Sequence, residues 1–248
     1  TNVLFLRIQR TGSRTVQNIL FRLSLRHSLD VMLPETSNII SYDEPIDDKS
    51  LSDRLMPANG KFNIFACRTR YNTTIKRFMY SDTLHVTLLR NPASYFKSLY
   101  NSFSDADSLR VKLNITFDQF LSALSNKTLS TTQTSHLQTR VNPMSFELGL
   151  DNVHRLEEVV VGNFIEYIDK EFDFVMISEY YDECLVLLTD MMGWPLSYVS
   201  YLPPIRSTSS LNVDLTKTDT NNLLELNPAD TKLYDYFIRK LAEKVRQY

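Results

Sequence analysis

Residues 3–23, VLFLRIQRTGSRTVQNILFRL, decide the fold. The apolar run VLFLRI reads as a strand and stops at the polar loop Gln9-Arg10-Thr11-Gly12-Ser13-Arg14-Thr15. Val16, Ile19, Leu20 and Leu23 then recur at helical spacing. The plan repeats further on. Residues 85–89 (HVTLL) read as a strand, Arg90-Asn91-Pro92 as a turn, and residues 93–103 as a helix carrying Ser98. A strand that runs through a cationic, hydroxyl-rich loop into a helix start is suited to a phosphate, because main-chain N–H groups and the helix dipole both favour anions there. Two such units in one chain predict a ligand with two separate phosphate groups.

The rest of the chain alternates strands and helices. Residues 62–66 read as a strand, 71–79 as a helix, 163–172 as a helix, 174–178 as a short buried strand and 182–192 as a helix. Thr116 and Gln119 form a capping-box pattern opening a helix through Leu124. Residues 35–61 and 194–215 are rich in turn-forming residues and read as loops. Leu233, Phe237, Leu241 and Val245 form an apolar stripe on a terminal helix. The expected fold is α/β, a mostly parallel central sheet flanked by helices, with residues 1–248 forming one domain.

Composition narrows the function classes. The chain has 248 residues, 43% of them hydrophobic, enough for a sizeable core. With 27 Lys and Arg against 29 Asp and Glu, the net charge is −2. Bulk nucleic-acid binding needs a basic face, so nucleic acid is not an expected partner and any anion site must be local. Four His and two Cys lack metal-ligand spacing, and no metal is expected. Cys67 and Cys184 read as free core residues, with a disulfide between them in an oxidising lumen the alternative. No apolar run approaches the roughly eighteen residues of a membrane span.

Several motifs together carry a family resemblance. The run FLRIQRTGSRTVQNILFRLSLRH (5–27) is similar to the 5′-phosphosulfate-binding loop and helix of the galactose-3-O-sulfotransferase family. LLRNPASYFKSLYNSF (88–103) is similar to that family's 3′-phosphate segment. LDVMLP (29–34), FNIFACRTRYN (62–72), NPMSFELGLD (142–151), FDFVMISEYYDECLVLLTDMMGW (172–194) and ADTKLYDYFIRK (229–240) follow in family order. The resemblance implies a P-loop-like sulfotransferase fold. It also implies a sulfuryl donor, 3′-phosphoadenosine 5′-phosphosulfate, and a galactose-containing glycan or glycolipid acceptor, with galactose O3 favoured. A Golgi-luminal setting is implied too, with any membrane anchor upstream of Thr1. In that setting the triplets at Asn72, Asn114 and Asn126 are N-glycosylation sequons.

By the same resemblance, Arg10, Thr11, Gly12, Ser13, Arg14 and Thr15 hold the 5′-phosphosulfate, Arg90 and Ser98 the 3′-phosphate, and Arg206, beside Ser207, is a further donor contact. Arg10 is also the expected catalytic cation, because charge develops on the bridging oxygen of the leaving 5′-phosphate. Arg7, Gln9 and Arg10 stand where the family has Lys, His and Lys. Gln is no base at neutral pH and Arg does not readily give up a proton, so Gln9 marks the acceptor side while the general base is left undetermined. His136 and Glu179 are candidates; Glu179 reads equally as a base, an orienter or a helix cap. The alternative reading is a nucleotide- or glycan-binding member of the same fold without turnover. A nucleotide triphosphatase is disfavoured, because the loop lacks Gly-x4-Gly-Lys-Ser/Thr.

Overall fold

The computed structural model describes residues 1–34, 39–40, 46, 56–102, 116–125, 141–151, 157–202 and 214–248. Five parallel strands form its sheet, in the order β2-β3-β1-β4-β5. They are β1 (Val3–Leu6), β2 (Val31–Met32), β3 (Ile64–Phe65), β4 (Leu84–Leu89) and β5 (Phe174–Ile177). Val3, Leu4, Phe5 and Leu6 are all buried. A central strand covered by helices on both faces has no solvent side, which is why its sequence shows an unbroken apolar run instead of alternation.

Register follows from these runs. Val3 to Leu6 pair with Leu84 to Thr87 on one side, and Val3 and Leu4 with Ile64 and Phe65 on the other. The chain therefore leaves β1 toward β3 and β2, then returns to lay β4 on β1's opposite edge. In open α/β sheets, ligands sit outside the carboxyl ends of the strands where the winding reverses. Here that point lies between β1 and β4.

Helices α1 (Ser13–His27), α2 (Pro92–Ser102), α3 (Phe117–Ser125), α4 (Pro143–Glu147), α5 (Glu158–Glu171), α6 (Tyr181–Met192), α7 (Lys217–Leu226) and α8 (Pro228–Gln247) accompany the sheet. The expected apolar faces are buried: Val16, Ile19, Leu20 and Leu23 on α1, and Leu233, Phe237 and Leu241 on α8. Val245 is 41% exposed, so the terminal stripe stops one turn short of expectation. The expected capping box opens α3, with Thr116 N–H donating to Gln119 and Gln119 N–H to the Thr116 hydroxyl.

Several expectations change: the helix expected from residue 163 begins at Glu158, and the loop expected over 194–215 holds a 3-10 helix, Leu196–Val199. Residues 71–79 hold a 3-10 helix, Thr73–Phe78, capped by Asn72, whose Oδ1 accepts from the Thr74 N–H at 2.9 Å. Val31 and Met32 form a strand too short to show a pattern. Helices α4 and α7 also lie outside the sequence expectation. A capping box between Thr216 and Asp219 starts α7. Five-residue α4 is too short to persist alone and depends on contacts from elsewhere in the chain.

Those contacts form a buried knot with α8. Asp230 accepts from the N–H groups of Met144 (3.0 Å) and Ser145 (2.7 Å) and from the Ser145 hydroxyl (2.6 Å). Asn142 Oδ1 in return accepts from the N–H groups of Ala229 and Asp230. Each helix thus caps the other's N-terminus, satisfying donors that a helix start leaves open.

Candidate functional site

The loops after β1 and β4 meet at the C-terminal edge of the sheet. Adjacent strands make this unavoidable, and a hydrogen bond seals it: Arg90 Nη1 donates to the Arg10 carbonyl at 2.9 Å. Arg10 itself takes a left-handed conformation (φ 59°), and Gly12 (φ 87°) completes the turn into α1. Glycine reaches that conformation without the steric cost a Cβ carries. No side chain caps α1 and no acidic residue occupies its first turn. Of its leading N–H groups, Thr15 N–H is taken by the Gly12 carbonyl and Val16 N–H by Tyr181, which leaves those of Ser13 and Arg14 to face an anion.

Thr11 and Ser13 are buried, and both hydroxyls donate to the Ile8 carbonyl, at 3.0 and 2.6 Å. Their protons shape the loop, which leaves main-chain N–H groups and guanidinium groups as its outward donors. Gly12 and Arg14 are exposed, and Thr15 N–H donates to the Gly12 carbonyl at 3.1 Å. From the β5 side, Ser178 Oγ donates to the Thr11 carbonyl at 2.9 Å, and the Tyr181 hydroxyl lies 3.5 Å from the Gly12 carbonyl. Tyr181 also bonds Thr15, and burial raises its pKa above the ordinary phenol value.

The β3 side of the loop is cationic and buried. Arg7 is 6% exposed, bonds Gln17 Oε1 at 3.1 Å, and keeps a buried Nε without a partner among the described residues. Its pKa is lowered by burial first, then by the charges of Arg14 and Arg68, while Glu147 opposes the shift. An orphaned guanidinium N–H among mutually repelling cations fits an anionic ligand. Gln9 stands beside them: its N–H donates to Glu147 Oε2 at 2.9 Å, and its Oε1 accepts from Arg68 Nη2 at 3.2 Å.

On the β4 side, burial lowers the pKa of Arg90 and Glu179 raises it. Glu179 accepts from Asn91 N–H at 3.0 Å and from the Tyr234 hydroxyl at 3.1 Å, which makes it an orienter of the Arg90-Asn91 turn. Ser98 is half-buried on α2, six residues past Pro92 and so roughly 9 Å along the helix axis. Its hydroxyl makes no hydrogen bond to a described residue. The structure therefore joins Arg90 to the first loop directly and leaves Ser98 on the neighbouring helix.

Arg206, Ser207 and His136 lie outside the described residues, as do Asn114 and Asn126 of the two later sequons. His27 packs at a tilt against Tyr198 at the far end of α1, and His85 Nδ1 lies 2.9 Å from the Glu171 carbonyl near the start of β4. Neither stands at the loops. Cys67 and Cys184 are free and buried, and burial pushes their thiols up to about 11 and about 12. Beyond α4 opens a cleft of about 800 Å³ walled by Leu148 to Asp151, Asn72, Asn163, Phe164 and Tyr167.

Arg68, Glu147, Ser178 and Tyr181 enter the site without having been singled out as site residues from sequence. Ser178 follows β5 directly and Arg68 lies three residues past β3, and a position just past a parallel strand was the available signal.

A family model described as Galactose-3-O-sulfotransferase matches residues 1–248. The chain belongs to the galactose-3-O-sulfotransferase family. It is 31% identical over 241 residues to galactose-3-O-sulfotransferase 3 of Mus musculus, covering 95% of this chain and 55% of the relative. To galactose-3-O-sulfotransferase 2 of Sus scrofa it is 29% identical over 264 residues, covering 99% and 62%. To galactosylceramide sulfotransferase of Homo sapiens it is 28% identical over 250 residues, covering 100% and 58%. The chain thus spans a little over half the length of the relatives it matches. The observed parallel α/β sheet is the fold the resemblance implied. No helix among the described residues is long and apolar enough to cross a membrane.

Proposed function

We propose that residues 1–248 form one catalytic domain that transfers a sulfuryl group from 3′-phosphoadenosine 5′-phosphosulfate to a galactose hydroxyl, with O3 the favoured position, in the Golgi lumen. The observation that carries this reading is the junction of two anion-ready loops through Arg90 and Arg10. A donor with phosphates at both ribose ends needs two such loops at a fixed separation. Family membership supplies the donor and acceptor classes.

In this reading the acceptor oxygen bonds sulfur as the bond from sulfur to the bridging 5′-phosphate oxygen breaks. The acceptor proton leaves, and adenosine 3′,5′-bisphosphate is released. The open N–H groups of α1, with Arg7, Arg10 and Arg14, stabilise charge on the leaving oxygen, where fixed donors in a water-poor site act most strongly. Arg90, oriented by Glu179, and Ser98 take the 3′-phosphate. Arg10 favours the reacting state electrostatically and keeps its own proton. The acceptor enters from the α4 side, with its sugar rings over the cleft at Asn163 and Tyr167.

Transfer of labelled sulfate from the donor to a panel of galactosides tests the reading. Label on galactose O3 supports it. Donor binding without transfer to any sugar would identify a nucleotide-binding member of the family that lacks turnover.

A further inference from the structure

We propose that Glu147 is a positioning residue of the transfer site, one whose carboxylate holds Gln9 and Arg68 in the geometry that turnover requires; this rests on the sulfuryl-transfer reading above. Glu147 ends α4 and is 4% exposed. A carboxylate that buried is tolerated only when paired and hydrogen-bonded. The partners described for it belong to the cradle: the Gln9 N–H at 2.9 Å and Arg68 Nη2 at 3.6 Å, with the charge of Arg7 close enough to be felt. Arg68 Nη2 also donates to Gln9 Oε1 at 3.2 Å, closing a triangle of Glu147, Arg68 and Gln9.

The triangle stands on a rigid post. The Glu147 carbonyl accepts from Tyr71 N–H at 2.8 Å, and Arg70 bonds the Phe146 and Gly149 carbonyls at 3.3 and 3.2 Å. Gly149 has φ +101°, and a Cβ there would meet the Tyr71 carbonyl oxygen at 2.9 Å, so the two segments approach closely. At the other end of α4, Asp230 holds the N-terminus. Fixed at both ends, α4 presents Glu147 at one place.

The charges give this role a signature distinct from ordinary stabilisation. Glu147 offsets only part of the positive charge of Arg7, Arg14 and Arg68, so the pocket still attracts anions. Within it the carboxylate draws Arg68 toward Gln9. Removing that negative charge while keeping the shape makes the pocket more positive and releases Arg68 and Gln9 from their set positions. Affinity for an anionic nucleotide then stays level or rises while turnover falls, the pattern of an interaction that matters in the transition state and not in ground-state binding.

The test is Glu147→Gln in the intact protein, read three ways. Calorimetry with adenosine 3′,5′-bisphosphate should give a dissociation constant equal to or tighter than wild type. Turnover at saturating donor should fall about 10–100-fold, the loss expected from small misplacement of reacting groups. Amide exchange at Gln9 should quicken. Arg68→Lys, which keeps the charge but on a shorter side chain whose ammonium falls short of the Nη2 position that meets both Gln9 and Glu147, should reproduce the turnover loss if Glu147→Gln folds poorly. Wild-type turnover in either folded variant overturns the proposal, as does a parallel loss of nucleotide affinity and turnover in Glu147→Gln. A wild-type protein that transfers no sulfate overturns the transfer reading, and the positioning role with it, and is told apart by failing before any variant is compared.

Discussion

Arg90 reaches across from the end of β4 and donates to the main-chain oxygen of Arg10, 80 residues earlier, at 2.9 Å. The group assigned to one phosphate therefore also sets the shape of the loop assigned to the other. Glu179 steadies the arrangement by taking the Asn91 N–H at 3.0 Å.

Arg90→Ala should consequently do more than remove one contact. A charge-assisted hydrogen bond contributes about 1.5–3 kcal/mol and a neutral hydroxyl about 0.5–1.5 kcal/mol. Calorimetry should show adenosine 3′,5′-bisphosphate bound at least roughly tenfold more weakly by Arg90→Ala, with a smaller loss in Ser98→Ala. The preference for the bisphosphate over adenosine 5′-phosphate should collapse in Arg90→Ala. A wild type that binds both nucleotides equally removes the 3′-phosphate from Arg90.

Gln9→His tests the acceptor side. The Gln9 side chain accepts from Arg68, so an imidazole there sits beside a cation. Arg68 pushes its pKa down and the Glu147 carboxylate pushes it up, so the imidazole titrates around its ordinary value of about 6.5. The variant should show a new ionisation on the acid side of its pH-rate profile, with or without faster transfer to a galactoside. A folded, donor-binding variant with an unchanged profile would mean that residue 9 only shapes the loop.

Strand β1, its loop and α1 were legible because the signal is local: an apolar run, a polar interruption, then helical spacing. The pairing of β1 with β4 was legible only as a repeated plan, since nothing in either segment says that they are neighbours. Glu147 illustrates the limit. Its partners are the backbone of residue 9 and the side chain of residue 68, and the knot of Asn142 and Asp230, with the bonds from Arg70 and Tyr71, brings α4 to them. The hydroxyls of Thr11 and Ser13 show another: the family resemblance implied phosphate donors, while the turn's own geometry directs both to the Ile8 carbonyl. Long-range polar pairing leaves no periodicity to read.

The cleft beyond α4 gives the acceptor reading a separate check. Tyr167 is 39% exposed, so its truncation should disturb the core little. If sugar rings pack there, Tyr167→Ala and Asn163→Ala should raise the acceptor KM about 2–12-fold, the range of an aromatic contact worth roughly 0.5–1.5 kcal/mol. Donor affinity should not change. An unaltered acceptor KM in both variants would send the glycan elsewhere.

Asp230 links the fold to pH. It is fully buried, and desolvation above all, with Glu147 adding, pushes its carboxyl up to about 6 despite hydrogen bonds from Ser145 and Met144. In the unfolded chain the same group titrates near the ordinary value of about 3.9. Between those values the native state binds more protons than the unfolded state, so stability falls as pH rises. The contribution is fully present below about pH 4 and is lost as pH passes through about 6, an amount on the order of 2–3 kcal/mol. Asp230→Asn cannot titrate, and its NH2 group would face a main-chain donor of Met144 or Ser145, costing about 1–3 kcal/mol at every pH. Guanidinium unfolding of both proteins from pH 4 to pH 7.5 separates the two effects. The advantage of wild type over Asp230→Asn should be largest at the acid end and shrink steadily toward neutrality. An advantage that stays constant, or grows with pH, would show that Asp230 is held ionised by its three donors and that the knot between α4 and α8 is insensitive to pH.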